Sequence, residues 1–119
     1  MLEVWTARIS TKDPDAFNIT RKSGHEAFAP SWSLLGTVLT IRKQKRVQTL
    51  EEWRAYAGRY LEEMARSKRL NPEAWRALLA RPRVVLTCYC SGDPRRCHRR
   101  VLAHILTSLG AVDKGELPR

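Results

Sequence analysis

The stretch CYCSGDPRRCHRR, from Cys88 to Arg100, contains all three cysteines of the chain, one of its three histidines and four of its arginines. A thiolate is a nucleophile and a soft metal ligand, an imidazole moves protons near neutrality, and a guanidinium grips phosphate oxygens in pairs. Side chains of this kind within thirteen residues can hold a metal, attack an electrophile or bind an anion.

Four readings compete for them. Cys88, Cys90, Cys97 and His98 are the right ligand types for four-coordinate zinc, although a C-x-C pair followed by an adjacent Cys-His pair departs from the usual C-x2-C spacing. CSGDPRR satisfies C-x5-R from Cys90 to Arg96, the pattern of cysteine-dependent phosphatases, but Asp93 and Pro94 put a negative charge and a missing N–H into a loop that must donate to phosphate. A nucleotide- or anion-binding pocket is the third reading, with His98 as acid, base or orienting group and Cys97 as a reactive thiol or a wall residue. The plainest reading is three small buried thiols and one hydrogen-bonded histidine.

The elements that must position these groups follow from the pattern. RVVLTCYC, Arg83 to Cys90, is a nearly unbroken apolar, β-branched run that suits a central strand buried on both faces. On it Cys88 and Cys90 share one face and Tyr89 takes the other. After the Ser91-Gly92 turn, Asp93 as N-cap and Pro94 as first residue predict a helix to about Leu109, closed by Gly110. Helical residues advance by about 100°, which puts His98 amid the stripe Val101, Leu102, Ile105, Leu106 and Leu109, Arg99 at one edge of it, and Cys97 outside the other. Arg96, Arg100 and His104 are expected to point outward. A strand end followed by a helix N-terminus is where open α/β sheets bind ligands.

Upstream, LEVWTARI reads as a strand. Ser10 to Gly36 reads as irregular chain with a second strand in AFNITRK, and TRKSG (Thr20 to Gly24) offers Lys22 and Ser23 as phosphate ligands without the upstream glycine of a P-loop. IRKQKR reads as a solvated strand end or loop, or as a contact to a phosphate backbone. The clearest helix begins at Thr49, whose spacing to Glu52 is that of a capping box, with Leu50, Trp53, Tyr56, Ala57, Tyr60, Leu61 and Met64 as its core stripe. Asn71 and Pro72 then predict a second helix that buries Trp75, Leu78 and Leu79.

With 119 residues, 29% charged and 43% hydrophobic, the chain is expected to form one domain over residues 1–119. The class is α/β, a small, mostly parallel sheet flanked by helices in Rossmann-like layering. A net charge of +10 and a pI near 10.3 favour phosphate-bearing partners, from nucleotide to nucleic acid. Clustered cysteines of odd number fit a reducing cytoplasm, and no run is long and apolar enough to span a membrane.

LTCYCSGDPRRCHRRVLAHIL resembles the signature of the family called domain of unknown function 488, an apolar strand, a cysteine, a short loop and Cys-His-Arg opening a helix. NITRKSGHEAFAPSW resembles a recurring block of one small branch of that family. The matches touch residues 18 to 36 and 83 to 110. The resemblance implies an α/β fold and points to Cys88, Cys97, His98 and Arg99, with Lys22, Ser23, Phe28, Pro30 and Trp32 upstream. Cys90 departs from much of the broad family, where that place resembles an acidic position, while this branch has a second cysteine there, which leaves a zinc site open in the branch. No particular reaction is implied. The expectation is a small enzyme, or enzyme-like protein, acting on a nucleotide or nucleic-acid-like phosphorylated ligand, with Cys97, His98 and Arg99 as catalytic candidates. Lys22, Ser23, Trp32, Cys88 and Cys90 are its candidate ligand-binding residues. The alternative is a non-catalytic, basic nucleic-acid-binding module with a structural or zinc-bound Cys3His cluster.

Overall fold

A computed structural model describes residues 1–89 and 94–118. Its centre is a wholly parallel four-stranded sheet in the order β2-β3-β1-β4, with β1 at Glu3–Arg8, β2 at Ala16–Asn18, β3 at Arg83–Cys88 and β4 at Val112–Glu116. The Val-Val-Leu-Thr run makes β3 a central strand buried from Val84 to Cys88. Pairing of Arg8 with Cys88 brings the carboxyl ends of β1 and β3 level. The tail therefore supplies a strand, and β4 lies beside β1.

Four helices, α1 (Trp32–Lys43), α2 (Leu50–Leu70), α3 (Pro72–Leu79) and α4 (His98–Ser108), complete the α/β fold. All four send side chains, Leu34, Tyr60, Trp75 and Leu102 among them, into one hydrophobic cluster with Val4, Val84 and Leu86 of the sheet. Each such fully buried leucine or valine contributes roughly 1.5–3 kcal/mol of transfer free energy. Thr49 and Glu52 form the expected capping box, reinforced by a two-pronged ion pair from Arg46. Gly110, at φ +106°, ends α4 while Ala111 N–H donates back to Leu106.

Four local expectations change. IRKQKR belongs to the end of α1 and the turn after it: Ser31 accepts a hydrogen bond from Leu34 N–H and starts a helix where irregular chain was expected. Asn71 does not cap α3 with its side chain; it donates to the Ser67 carbonyl and so closes α2. Leu50 and Leu61 of the expected core stripe are 47% exposed, because the buried strip of α2 runs through Tyr56, Tyr60 and Met64. Finally, Pro94–Arg96 is a short 3-10 turn and α4 begins only at His98, since Cys97 takes an extended conformation at φ −135°, ψ 148°. The expected N-cap Asp93 and the Ser91-Gly92 turn lie outside the described residues. Among the described residues no helix is long and apolar enough to cross a membrane.

Candidate functional site

The extended backbone at Cys97 decides the site. In a helix starting at Pro94 its side chain would lie outside the apolar stripe; instead it turns under the helix end, 1% exposed, and its Sγ lies 2.6 Å from that of Cys88. Cys88, the last residue of β3, points towards the helices with Val84 and Leu86 and is fully buried. The next residue, Tyr89, is half exposed, and Cys90 lies outside the described residues.

His98 points inward as its place in the α4 stripe requires, and is 5% exposed. Its Nε2 is 3.0 Å from the carbonyl oxygen of Ile19, which can only accept, so Nε2 carries the proton. In the neutral ring Nδ1 is then the lone-pair nitrogen, and it faces Cys97 Sγ at 3.8 Å. Burial pushes the His98 pKa below its ordinary value and favours that neutral form, against the opposing pull of Cys88. An imidazole held by one nitrogen and offering the other is equipped to take a proton or to ligate a metal.

Arg99 is completely buried. Its Nε and Nη2 donate to the two carboxylate oxygens of Glu116 on β4, and its Nη1 lies 3.0 Å from Cys88 Sγ. The ion pair with Glu116 holds the guanidinium charged despite its burial, and a fixed positive charge beside a sulfur favours thiolate over thiol. Arg100 is likewise anchored, to Asp113. Arg99 thus acts on the thiol from behind.

On the open side, Cys97 and His98 form part of the wall of a cleft with a cavity volume of about 100 Å³. Its cations, Arg21, Lys22, Arg42 and Arg96, come from three separate parts of the sequence, and no carboxylate lines it among the described residues. Aromatic walls are supplied by Trp53, Tyr56 and Tyr89, and α1 presents Leu35, Val38 and Arg42 from one face. Arg21 is held by the Pro30 carbonyl and by Glu26, and Arg96 by the Gln48 carbonyl. Lys22 and Arg42 have no ion pair among the described residues.

The TRKSG turn and the cysteine motif meet because β2 pairs with β3. The Asn18 side chain accepts from Thr20 N–H and Oγ1 and donates to Ser23 Oγ, which also lies 3.1 Å from the Tyr89 hydroxyl. Ser23 therefore braces the loop that places Lys22 on the cleft and Ile19 under His98. It does not line the cleft, and neither do Cys88, which sits behind Cys97, or Trp32, which is 63% exposed at the start of α1. Sequence patterns offered Arg42 only within the basic run IRKQKR, as a contact to a phosphate backbone, and did not single out Trp53, Tyr56 or Glu116 for the site. Trp53 and Tyr56 carried only the signal of a core stripe, and Glu116 carried none.

Three of the four residues of the zinc reading, Cys88, Cys97 and His98, converge, with ligand atoms within 4.8 Å of one another. Two sulfurs on one zinc sit about 3.8 Å apart, from bonds of about 2.3 Å at a tetrahedral angle, so this pair would have to open to share an ion.

No curated protein and no solved structure matches the chain. A family model described as "Active DUF488-N3 subclade" matches residues 3–110, a span that takes in the TRKSG turn, the Cys88–Cys97–His98 cluster and the whole of α4. By that match the chain belongs to the domain of unknown function 488 family (DUF488), within its active N3 subclade.

Proposed function

We propose that the protein is an enzyme that binds a nucleotide or a nucleic-acid-like phosphorylated ligand in this cleft and acts on it through Cys97 and His98. The cleft lining carries the reading: cations and aromatic rings without a carboxylate, with a thiol and a lone-pair imidazole nitrogen at one wall. Lys22 and Arg42 hold phosphate oxygens, and a base stacks on the aromatic wall. His98 Nδ1 takes the proton of Cys97, whose sulfur is then the nucleophile. Arg99 and Glu116 position Cys88 behind it.

Fluorescence anisotropy with a labelled nucleoside triphosphate and a short single-stranded oligonucleotide tests the binding half. Affinity is expected to fall steeply with salt, and Lys22→Ala and Arg42→Ala each to weaken binding about tenfold, the loss of one charged hydrogen bond, without lowering Tm. Absence of binding by either probe even at low salt would overturn the reading. Cys97→Ser is expected to keep binding and lose turnover.

A zinc-bound cluster in a non-catalytic nucleic-acid-binding module is the second reading, favoured by the convergence of Cys88, Cys97 and His98 and by the fixed tautomer of His98. Metal analysis separates the two. One zinc per purified chain, lost in Cys97→Ser, selects the second reading.

A further inference from the structure

We propose that Cys97 and Cys88 form a hydroperoxide-reactive dithiol, in which Cys97 is oxidised from the cleft and Cys88 resolves it as an intramolecular disulfide. The inference rests on the reading of Cys97 as a thiol reached through the cleft, and it adds a modification site and a co-substrate class to it.

The division of labour follows from placement. Both sulfurs are buried, Cys97 at 1% and Cys88 at 0% exposure, but Cys97 contributes to the cleft wall and Cys88 does not. A small hydroperoxide entering the cleft meets Cys97 first. The thiolate of Cys97 attacks the terminal oxygen of ROOH; the S–O bond forms, the O–O bond breaks, and the alkoxide leaves. The proton that Cys97 gave to His98 Nδ1 returns to that alkoxide as ROH. Cys97 is now a sulfenic acid beside the sulfur of Cys88, with no rearrangement needed to bring them together.

Cys88 is nine positions away in sequence, and its sulfur lies 3.0 Å from the Arg99 guanidinium, whose positive charge favours the thiolate. Its thiolate attacks the Cys97 sulfur, the S–S bond forms, the S–O bond breaks, and hydroxide leaves to become water. In total two thiols lose two electrons and two protons, and ROOH becomes ROH and water. An external dithiol reverses the bridge by exchange. Two consequences follow. The bridge removes the nucleophile of the cleft while oxidant persists, and it protects Cys97 from irreversible oxidation beyond the sulfenic state.

The test is peptide mapping of the full chain after one equivalent of hydrogen peroxide, with free thiols alkylated and no reductant added before digestion. Trypsin separates Val84–Arg95 from Cys97–Arg99, so the expected product is these two peptides joined, with two hydrogens lost. Because Cys90 shares the first peptide, the same map is made on Cys90→Ser, where the link is expected to persist. In Cys88→Ser the link is expected to vanish and a sulfenic acid at Cys97 to be captured by a 1,3-dione probe. Should Cys88→Ser fail to fold, the maps of wild type and Cys90→Ser together decide the matter. The proposal is overturned if the thiols stay reduced, or if the link disappears in Cys90→Ser. The readout is a mass and needs no ligand: a bridge without nucleotide or oligonucleotide binding removes the proposed function alone, and binding without a bridge removes this inference alone.

Discussion

A guanidinium cut off from water is tolerated only with its charge matched, and Arg99 shows which partner bears the greater cost of separation. Its side chain is 0% exposed, while that of Glu116 is 30% exposed. When Arg99 is replaced, Glu116 can turn to solvent; when Glu116 is replaced, Arg99 cannot. Glu116→Ala is therefore expected to cost about 3 kcal/mol, the range for a buried charge left unpaired, and Arg99→Met, which fills the space with apolar atoms, clearly less. Urea denaturation of both variants measures the order, and a larger loss for Arg99→Met would show that the guanidinium stabilises by packing instead. At this scale the sequence was informative about direction and silent about partners. Helical spacing aimed His98 inward and put Arg99 at the stripe edge, since both follow from a fixed rotation per residue. Glu116 lies seventeen positions beyond Arg99, on a strand whose pairing with β1 no local pattern encodes.

Among the elements, the TRKSG turn couples the sheet to the site, and its glycine is there for want of space. A Cβ at Gly24 would lie 2.4 Å from the Asn18 carbonyl oxygen, 2.5 Å from Asn18 Oδ1 and 2.6 Å from Thr20 N. These are the atoms that hold the turn together, so Gly24→Ala must open it, at a cost of about 1–3 kcal/mol for an overpacked position. Ile19 and Lys22 shift with it, and the expected signature is a joint loss of stability and ligand affinity with a changed His98 ring environment by NMR. Gly36, inside α1 with nothing within 4 Å of its added Cβ, is the control. Gly36→Ala is expected to stabilise by about 0.5–1 kcal/mol and to leave binding unchanged. Calorimetry on the two variants decides between a turn that supports the site and a merely tight loop. Strands β1 and β3, the capping box and the Pro72 start were legible because each is a local signal. The start of α4 was not: Asp93-Pro94 is a good helix opening, yet Cys97 is drawn into contact with Cys88, and that tertiary contact displaces the helix to His98. Nor was α1 legible as a cleft wall, since punctuation by Asp-Pro, Ser-Gly and Ala-Pro hid the Ser31 cap that follows it.

For the whole molecule, the charge excess of +10 and the buried histidine act in the same direction as pH falls. His98 has its pKa lowered from 6.5, by burial first, so the unfolded chain takes up a proton before the folded one does. The sign follows from linkage: the stability that His98 gains by remaining neutral is fully present above pH 6.5 and is lost as pH falls below it towards the lowered folded value. His25, lowered by burial and by Arg81, adds to the same loss. Asp113 and Glu116, held below their ordinary values by Arg100 and Arg99 despite partial burial, contribute only when pH drops under about 4.5. Each proton also adds to a molecule already strongly positive, which steepens the decline. Urea denaturation at pH 7.5, 6.5 and 5.5 is therefore expected to show a plateau and then a fall, limited to about 1.36 kcal/mol per pH unit for each histidine. His98→Gln keeps an N–H that can reach the Ile19 carbonyl but has nothing to titrate. Its curve is expected to lie below that of wild type at pH 7.5 and to converge on it by pH 5.5, leaving only the contribution of His25. Parallel curves would mean that the fold leaves the His98 pKa at its ordinary value, and a wild-type curve that rises relative to the variant as pH falls would mean that His98 is protonated in the fold, with the lone pair at Nδ1 on which the chemistry of Cys97 depends gone.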